Sequence, residues 1–317
     1  MGARFFIRTG ICLAATILAI TALAPMAQAQ TDLRGRWNGF SETQLPAVQM
    51  GDSFFDVFTQ ARGRFTGAIE IHSDPVPHLF PVSGFVLPNG VLFGSGRDAR
   101  GLRIDFSGRA KVAVLTSNIR VMSLGYAVSD EGRFQFGGLT VHIQMQGGLN
   151  WVDPGPIGVP DVGFHWDGDY LPRLGEGGGP MSMDLAHLRN RTGGLTTSFM
   201  GGAQMMNVFV PAVQSFFDIT YDVQGTVGVP AVQRDGSLSA ALGAVAVEIN
   251  PGPIQSPTGI IAILIGNWVN PGPQQVPAVQ GQYRLYDSFF DVFTEIALDG
   301  NTAFSQGSFT CTQRPPG

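Results

Sequence analysis

Residues 85–93 read FVLPNGVLF, which places Asn89 and Gly90 between two apolar runs. Asn-Gly flanked by apolar residues is the strongest short-range signal for a β-hairpin, because both central positions of its tight turn need a positive φ. Residues 125–136 (GYAVSDEGRFQF) repeat the pattern around Asp-Glu-Gly. Asp-Gly at 235–236 and Asp-Gly-Asn at 299–301 predict two further strand tips.

The composition extends this prediction to the whole chain. The 317 residues include 43 glycines and 21 prolines, and helical periodicity is almost absent. Abundant turn formers between β-branched and aromatic residues predict an all-β fold of antiparallel sandwich or barrel-like modules. We expect helix only over residues 183–191, where Ser182 is a candidate N-cap and two glycines follow.

Several phrases recur along the chain. DSFFDVFT occurs unchanged at 52–59 and 287–294, and a degraded copy, SFFDIT, lies at 215–220. PAVQ occurs four times. An identity of eight residues indicates duplication, and duplication predicts internal repeats of a supersecondary unit.

The repeated phrase also predicts packing. We expect both copies to be strands covered on both faces, because apolar residues occupy both sides of the alternating pattern. Phe55 and Phe290 should then be core residues. We also expect Trp37 and Trp268 to occupy equivalent places, since each lies nine residues before a PAVQ proline.

The N-terminus predicts export. Arg4 and Arg8 precede an uncharged stretch over 11–24, and Ala27 and Ala29 fit a signal-peptidase site. The stretch is shorter than the roughly 20 apolar residues of a membrane span. We therefore expect a signal peptide over 1–29, a periplasmic, cell-surface or secreted protein, and no transmembrane helix in the mature chain.

Composition shifts divide the rest of the chain. The predicted parts are a β-rich module, a Gly/Pro-rich linker or long loop with the possible short helix, a second β-rich module and a tail, at 30–146, 147–194, 195–313 and 314–317. The net charge of −5 argues against nucleic-acid binding, which needs a basic surface. Cys311 remains alone once Cys12 leaves with the leader, so we expect a buried thiol, with an intermolecular disulfide as the alternative.

Residues 164–170 (FHWDGDY) are the best local cluster of candidate site residues. On an extended strand, His165, Asp167 and Asp169 share one face, which could bind a divalent cation. Trp166 and Tyr170 share the other face, which could stack against a sugar ring. The alternative is a turn at Asp-Gly with anchoring aromatic residues.

The function predicted from these features is non-catalytic: binding, or a surface or structural role, with a carbohydrate or protein partner docking at strand edges. One alternative is a secreted polysaccharide hydrolase that uses Asp167, Asp169 or Glu176 as acids. A second alternative is an outer-membrane β-barrel. The basic run over 97–111, which includes the chain's only lysine, Lys111, fits a solvated strand face, with anionic-glycan binding as the alternative.

Overall fold

A computed structural model describes residues 31–43, 48–72, 77–112, 118–131, 133–145, 158–174, 177–249, 259–273 and 275–314. The predicted signal peptide and Glu176 lie outside these residues. The described chain folds into two successive antiparallel barrels and one helix.

The first eight strands are β1 (Gly35–Thr43), β2 (Gln49–Ala61), β3 (Arg64–Ile71), β4 (His78–Val86), β5 (Val91–Arg97), β6 (Arg103–Val112), β7 (Ile119–Asp130) and β8 (Arg133–Met145). Each pairs with the next, and β8 pairs back with β1, so the sheet closes into barrel 1. Its interior is filled by side chains such as Trp37, Phe55, Phe65, Phe80 and Phe106.

The remaining strands are β9 (His165–Pro172), β10 (Gly179–Arg189), β11 (Leu195–Val210), β12 (Ser215–Val227), β13 (Ala231–Val232), β14 (Leu238–Glu248), β15 (Ile261–Asn270), β16 (Ala278–Tyr286) and β17 (Ser305–Gln313). The order β12-β11-β10-β9-β17-β16-β15-β14 closes through pairing of β14 with β12, which forms barrel 2. Its interior is also packed, with Trp166, Tyr170, Tyr221, Tyr283 and Phe309 among the buried side chains.

A third apolar cluster joins the two barrels. It combines the outer faces of β1, β7 and β8 with the outer faces of β14 and β15. The helix α1 (Phe289–Leu298) follows β16 and contributes Phe289, Val292 and Ile296 to this cluster. Burial of a shared apolar layer therefore holds the barrels together, and α1 packs across the junction.

The structure confirms the antiparallel all-β fold with barrel-like modules. Both hairpins predicted from turn residues are present, as β4–β5 and β7–β8. Gly90 has a φ of 84°, a value that favours glycine. The tip predicted at 235–236 lies between β13 and β14. The tip predicted at 299–301 instead ends α1, where Asp299 is a left-handed C-cap.

The helix predicted over 183–191 is wrong, since most of this segment belongs to strand β10. Met181, Met183 and Leu185 alternate toward the interior of barrel 2, and this period of two outweighs the Ser182 capping signal. Strands β9 and β10 both lie within the predicted linker 147–194. Barrel 2 therefore begins well before residue 195.

The two copies of DSFFDVFT adopt different structures. Residues 52–59 lie in β2, with Phe55 buried and Phe58 65% exposed, so the strand is covered on one face only. In the second copy, residues 289–294 form the start of α1, and Phe290 is 61% exposed. The prediction of two core strands is therefore wrong for the second copy.

The tryptophan equivalence also differs from the prediction. Trp37 lies on the first strand of barrel 1, and its indole N–H donates to the carbonyl of Leu33 at 2.9 Å. Trp166, on the first strand of barrel 2, donates to the carbonyl of Val162 at 3.0 Å. Trp268 lies on β15, so the counterpart of Trp37 is Trp166.

Candidate functional site

A pocket of about 230 Å³ lies where the two barrels meet α1, and we call it the inter-barrel pocket. Strands β6 and β7 of barrel 1, strands β15 and β16 of barrel 2, and α1 all contribute lining residues. Its apolar lining consists of Val112, Val121, Ile263, Ile265 and Ile296. Charged and aromatic side chains, among them Lys111, Arg284 and Glu295, complete the lining, and aliphatic groups beside convergent polar groups are a combination found in small-molecule sites.

Two features position the α1 wall of the pocket. At its start, the Ser288 hydroxyl accepts from the backbone N–H of Asp291 at 3.2 Å and donates to its carboxylate at 2.7 Å. Ser288 is thus an N-cap residue, and it satisfies one of the backbone N–H groups that a helix start leaves unpaired. Phe289, Val292 and Ile296 then follow helical spacing, so one face of α1 packs on the barrels while Glu295 reaches the pocket.

Glu295 is the buried charge of the pocket, with 8% of its surface exposed. One carboxylate oxygen accepts from Arg284 and from the Tyr286 hydroxyl at 3.1 Å. The other accepts from the backbone N–H groups of Thr302 and Ala303, both at 3.4 Å. Four donors compensate its desolvation, as a buried carboxylate requires.

This cluster changes the titration of its members. Burial, with the Glu295 charge beside the ring, raises the pKa of the Tyr286 hydroxyl. Burial is the largest single effect on the pKa of Arg284 and lowers it, but the electrostatic effects of Glu295 and Tyr286 and the hydrogen bonds with them together raise it by more, so the net pKa is raised. Arg284 therefore stays positively charged and Tyr286 stays neutral across the physiological range.

A second charge cluster lies at the C-terminal end of α1. Lys111 donates to the carbonyl of Glu295 at 2.9 Å and to the carboxylate of Asp299. Arg109 donates to the other carboxylate oxygen of Asp299. Hydrogen bonds from Lys111, and then from Arg109, hold the pKa of Asp299 below its ordinary value. Both cations also lie near the negative end of the helix dipole.

The sequence-predicted cluster at 164–170 is placed elsewhere, on β9. His165 contacts Asp184 through Nδ1 at 2.6 Å and Asp167 through Nε2 at 2.8 Å. These two hydrogen bonds, that to Asp184 first, raise the pKa of His165. Asp167 also pairs with Arg314 at 2.9 Å, whereas none of these contacts includes Asp169.

These contacts bear on the metal hypothesis. Both ring nitrogens of His165 are engaged by carboxylates. Among the described residues, no group of three or more His, Cys, Asp or Glu side chains is arranged to hold a metal ion.

The aromatic half of the cluster points into barrel 2. Trp166 and Tyr170 are both buried, and the Tyr170 hydroxyl donates to the carbonyl of Met206 at 2.9 Å. The Tyr170 ring also packs edge-on against Tyr283. The strand alternation was predicted correctly, but the face assigned to a sugar ring is the one that fills the barrel.

Sequence reasoning did not find the pocket residues. Lys111 and Glu295 are separated by 184 positions, and neither belongs to a recognisable motif. The basic run over 97–111 was interpreted as a solvated face, yet Arg109 and Lys111 reach α1. A usable signal was Glu295 in the helix-forming run EIAL, directly after the second DSFFDVFT.

Two further observations concern the chain as a whole. Cys311 is buried, and burial raises the pKa of its thiol to about 12, so it is a structural residue of barrel 2. Within the described ranges, no helix is both long and apolar enough to cross a membrane.

Comparison with protein-family models gives no match, and comparison with curated proteins gives none either. Among solved structures, the chain is similar to a protein of unknown function from the DUF3598 family of Nostoc punctiforme. The identity is 12%, the similarity covers 89% of this chain and 96% of that chain, and the TM-score is 0.21. A similarity at this level supports no argument about function.

Proposed function

We propose that this chain is an exported, non-catalytic binding protein that takes a small ligand in the inter-barrel pocket. The observation that carries the proposal is the construction of that pocket. Both barrels and α1 each supply part of its wall, and the wall combines apolar side chains with Lys111, Arg284 and Glu295 at one place.

The packing of the barrels supports this location. An eight-stranded barrel is just wide enough to be filled by side chains or to hold one small ligand. The interiors of both barrels contain continuous clusters of large buried side chains. The junction between the barrels therefore offers a better ligand site than either interior.

Barrel closure also bears on the partner predicted from the sequence. Closing a sheet removes the unpaired strand edges at which another chain could add a strand. Both eight-stranded rings close in the described chain. Since the pocket wall combines aliphatic side chains with charged ones, a small amphipathic ligand fits it better than the carbohydrate or protein partner at a strand edge.

A binding role fits the charged groups better than a hydrolytic one. Glu295 and Asp299 are each held by cations, and the resulting ion pairs anchor α1 to both barrels. A general base needs a proton acceptor directed at substrate, and these carboxylate oxygens already accept hydrogen bonds from the protein.

Export is supported by the sequence over 1–29. A positive start, an uncharged apolar stretch and small residues at 27 and 29 have the order that a signal peptide requires. Cleavage would leave Gln30 as the first residue. The intact mass of the exported protein checks this, and a mass that includes the leader would refute cleavage.

Thermal unfolding with octanol tests the binding site. A ligand that binds only the folded state raises the melting temperature, and a hundredfold excess over Kd adds about 2.7 kcal/mol. We expect octanol to stabilise the wild type, and Val121→Phe, which fills the pocket, to abolish the shift. Val232→Phe is the matched control, because Val232 is exposed on β13, away from the pocket. An equal shift in both variants would overturn the proposal.

A further inference from the structure

We propose that the ligand of the inter-barrel pocket is an amphipathic monoanion, an apolar body with one carboxylate, and that Lys111 and Arg284 bind its charged end. This inference rests on the proposed function of the same pocket. It adds the chemical class of the ligand and the residues that select it.

The charge balance at the pocket favours an anion. Three cations, Arg109, Lys111 and Arg284, contact two anions, Glu295 and Asp299. Among the described residues, the ion pairs of this cluster thus leave one net positive charge. A bound carboxylate would neutralise it, whereas a cationic ligand would add a second uncompensated charge in a partly desolvated site.

The hydrogen-bonding capacity points the same way. Glu295 already accepts from Arg284, Tyr286, Thr302 and Ala303, so it offers little to a ligand that donates. A lysine ammonium has three N–H donors, and the described contacts of Lys111 use two of them.

The geometry leaves the cations within reach of a ligand. The side chains of Lys111 and Arg284 are 30% and 39% exposed, although both line the pocket. Their partners on α1 hold them at the rim, so little side-chain freedom is lost on binding. The arrangement is a fixed pair of cations beside an aliphatic wall.

The aliphatic wall selects the body of the ligand. Val121, Ile263, Ile265 and Ile296 line the pocket and belong to the cluster that joins the barrels. Each methylene of a ligand that is buried against this wall tightens binding by about fourfold. An alkyl carboxylate satisfies both the wall and the cations, whereas inorganic phosphate satisfies the cations alone.

Three probes of equal chain length separate the contributions: octanoate, octanol and octylammonium, titrated into the full-length mature protein by calorimetry. We expect octanoate to bind about tenfold tighter than octanol, since one charge-assisted hydrogen bond is worth at least that factor. Octylammonium should bind more weakly than octanol.

Variants assign the selectivity to the rim. Lys111→Gln should remove most of the preference for octanoate over octanol, measured as the ratio of the two affinities within the same variant. Lys111→Arg should retain the preference. Arg103→Gln is the matched control, because this exposed arginine on β6 pairs with Asp105 and does not line the pocket.

The chain's single lysine gives an independent readout. Lys111 and the N-terminus are the primary amines that an amine-reactive acetylating reagent can modify. Peptide mass spectrometry therefore measures the acetylation rate of Lys111 in the pocket separately from that of the N-terminus. Octanoate should slow acetylation of Lys111 and leave the N-terminus unaffected.

The outcomes separate the two proposals. If octanoate and octanol bind equally, or if octylammonium binds tighter than octanol, the ligand is not an anion, but the pocket still binds a small ligand. Failure of all three probes to bind would overturn the proposed function itself. An octanoate preference that survives Lys111→Gln and Arg284→Gln would place the selectivity elsewhere and overturn the assignment of these residues.

Discussion

The same eight residues, DSFFDVFT, form part of strand β2 at 52–59, and at 287–294 they lead into helix α1. In β2 the inward side chains are Phe55 and Val57, which pack inside barrel 1. In α1 the buried side chains include Phe289 and Val292, which pack between the barrels. The same local sequence therefore forms two secondary structures, and different residues of it are buried in each.

The phrase allows this because it satisfies two periodicities. Read with a period of two, its second phenylalanine and its valine share one strand face. Read at helical spacing, its first phenylalanine, its valine and its last phenylalanine share one helix face. Neither periodicity is stronger within eight residues, so the neighbouring sequence determines whether a strand or a helix forms.

The residues that follow the two copies favour a turn after the first copy and a longer helix after the second. After the first copy, residues 60–63 read QARG, and Arg62 and Gly63 adopt positive φ in the turn to β3. After the second copy, residues 295–298 read EIAL, three of which are strong helix formers, and they add a further helical turn. The added turn carries Glu295 and Ile296 into the pocket wall.

The largest expected contrast is between Phe55→Ala and Phe290→Ala, which occupy the same position of the phrase. Phe55 is fully buried, so its truncation should cost about 3–5 kcal/mol of unfolding free energy. Phe290 is mostly exposed, and its truncation should cost no more than about 0.5 kcal/mol. Urea unfolding measures both values, and similar losses at the two sites would show that the copies share one environment.

The preceding phenylalanine should show the reverse order. Phe289 is buried between the barrels, so Phe289→Ala should cost about 3–5 kcal/mol. Phe54 is half-buried on the outside of barrel 1, beneath the Arg36 guanidinium at 4.5 Å. Phe54→Ala should therefore cost only about 1 kcal/mol. Of the first two phenylalanines of the phrase, the second is buried in β2 and the first in α1. If urea unfolding shows a larger loss of stability for Phe54→Ala than for Phe289→Ala, this difference between the copies is contradicted.

A pH titration sharpens the contrast through a contact that only the strand copy makes. His142 lies 3.0 Å from the Ser53 hydroxyl, and complete burial lowers its pKa from 6.5 to about 3. Below pH 6.5 the unfolded chain takes up a proton that the folded chain resists. The His142 contribution to stability is therefore full above pH 6.5 and falls as the pH drops toward 3, by up to about 1.4 kcal/mol per unit.

The control for this titration is His142→Gln, which removes the titrating ring. Between pH 7 and pH 4.5, the wild type should lose more unfolding free energy than the variant. Parallel pH profiles would show that His142 is protonated equally easily in both states.

The smallest expected effect concerns the helix cap. Ser288→Ala removes the hydroxyl that pairs with Asp291 and should cost about 1 kcal/mol. Ser288→Thr, which keeps a hydroxyl beside the Asp291 carboxylate, should retain most of the wild-type stability. If the alanine variant is as stable as the wild type, the Ser288 cap contributes nothing to forming α1.

The sequence predicted the fold class because its strongest signals are local. Asn89-Gly90 fixes a turn through backbone conformation, and alternation along β9 correctly grouped His165 with Asp167. It did not predict which face of β9 turns inward. That choice depends on barrel closure through β17, which is more than 130 residues away.

The candidate site was unpredictable for the same reason. Lys111, Arg284 and Glu295 meet because two barrels and α1 pack together, and no spacing in the chain records that contact. The repeated phrase DSFFDVFT predicts a strand at 287–294, but its second copy begins the helix that lines the pocket. When a local sequence is equally compatible with a strand and a helix, tertiary packing determines which of the two forms.

Backbone 13Cα chemical shifts test directly whether identical sequence folds in two ways here. With residues 52–59 and 287–294 assigned in the folded protein, each phenylalanine and valine of one copy has an exact internal reference in the other. We predict shifts on the strand side of random coil for Phe54 to Phe58, and on the helical side for Phe289 to Phe293. Strand-side shifts in both copies would contradict the assignment of α1 and, with it, the inter-barrel pocket, whereas helical shifts in both copies would contradict the assignment of β2.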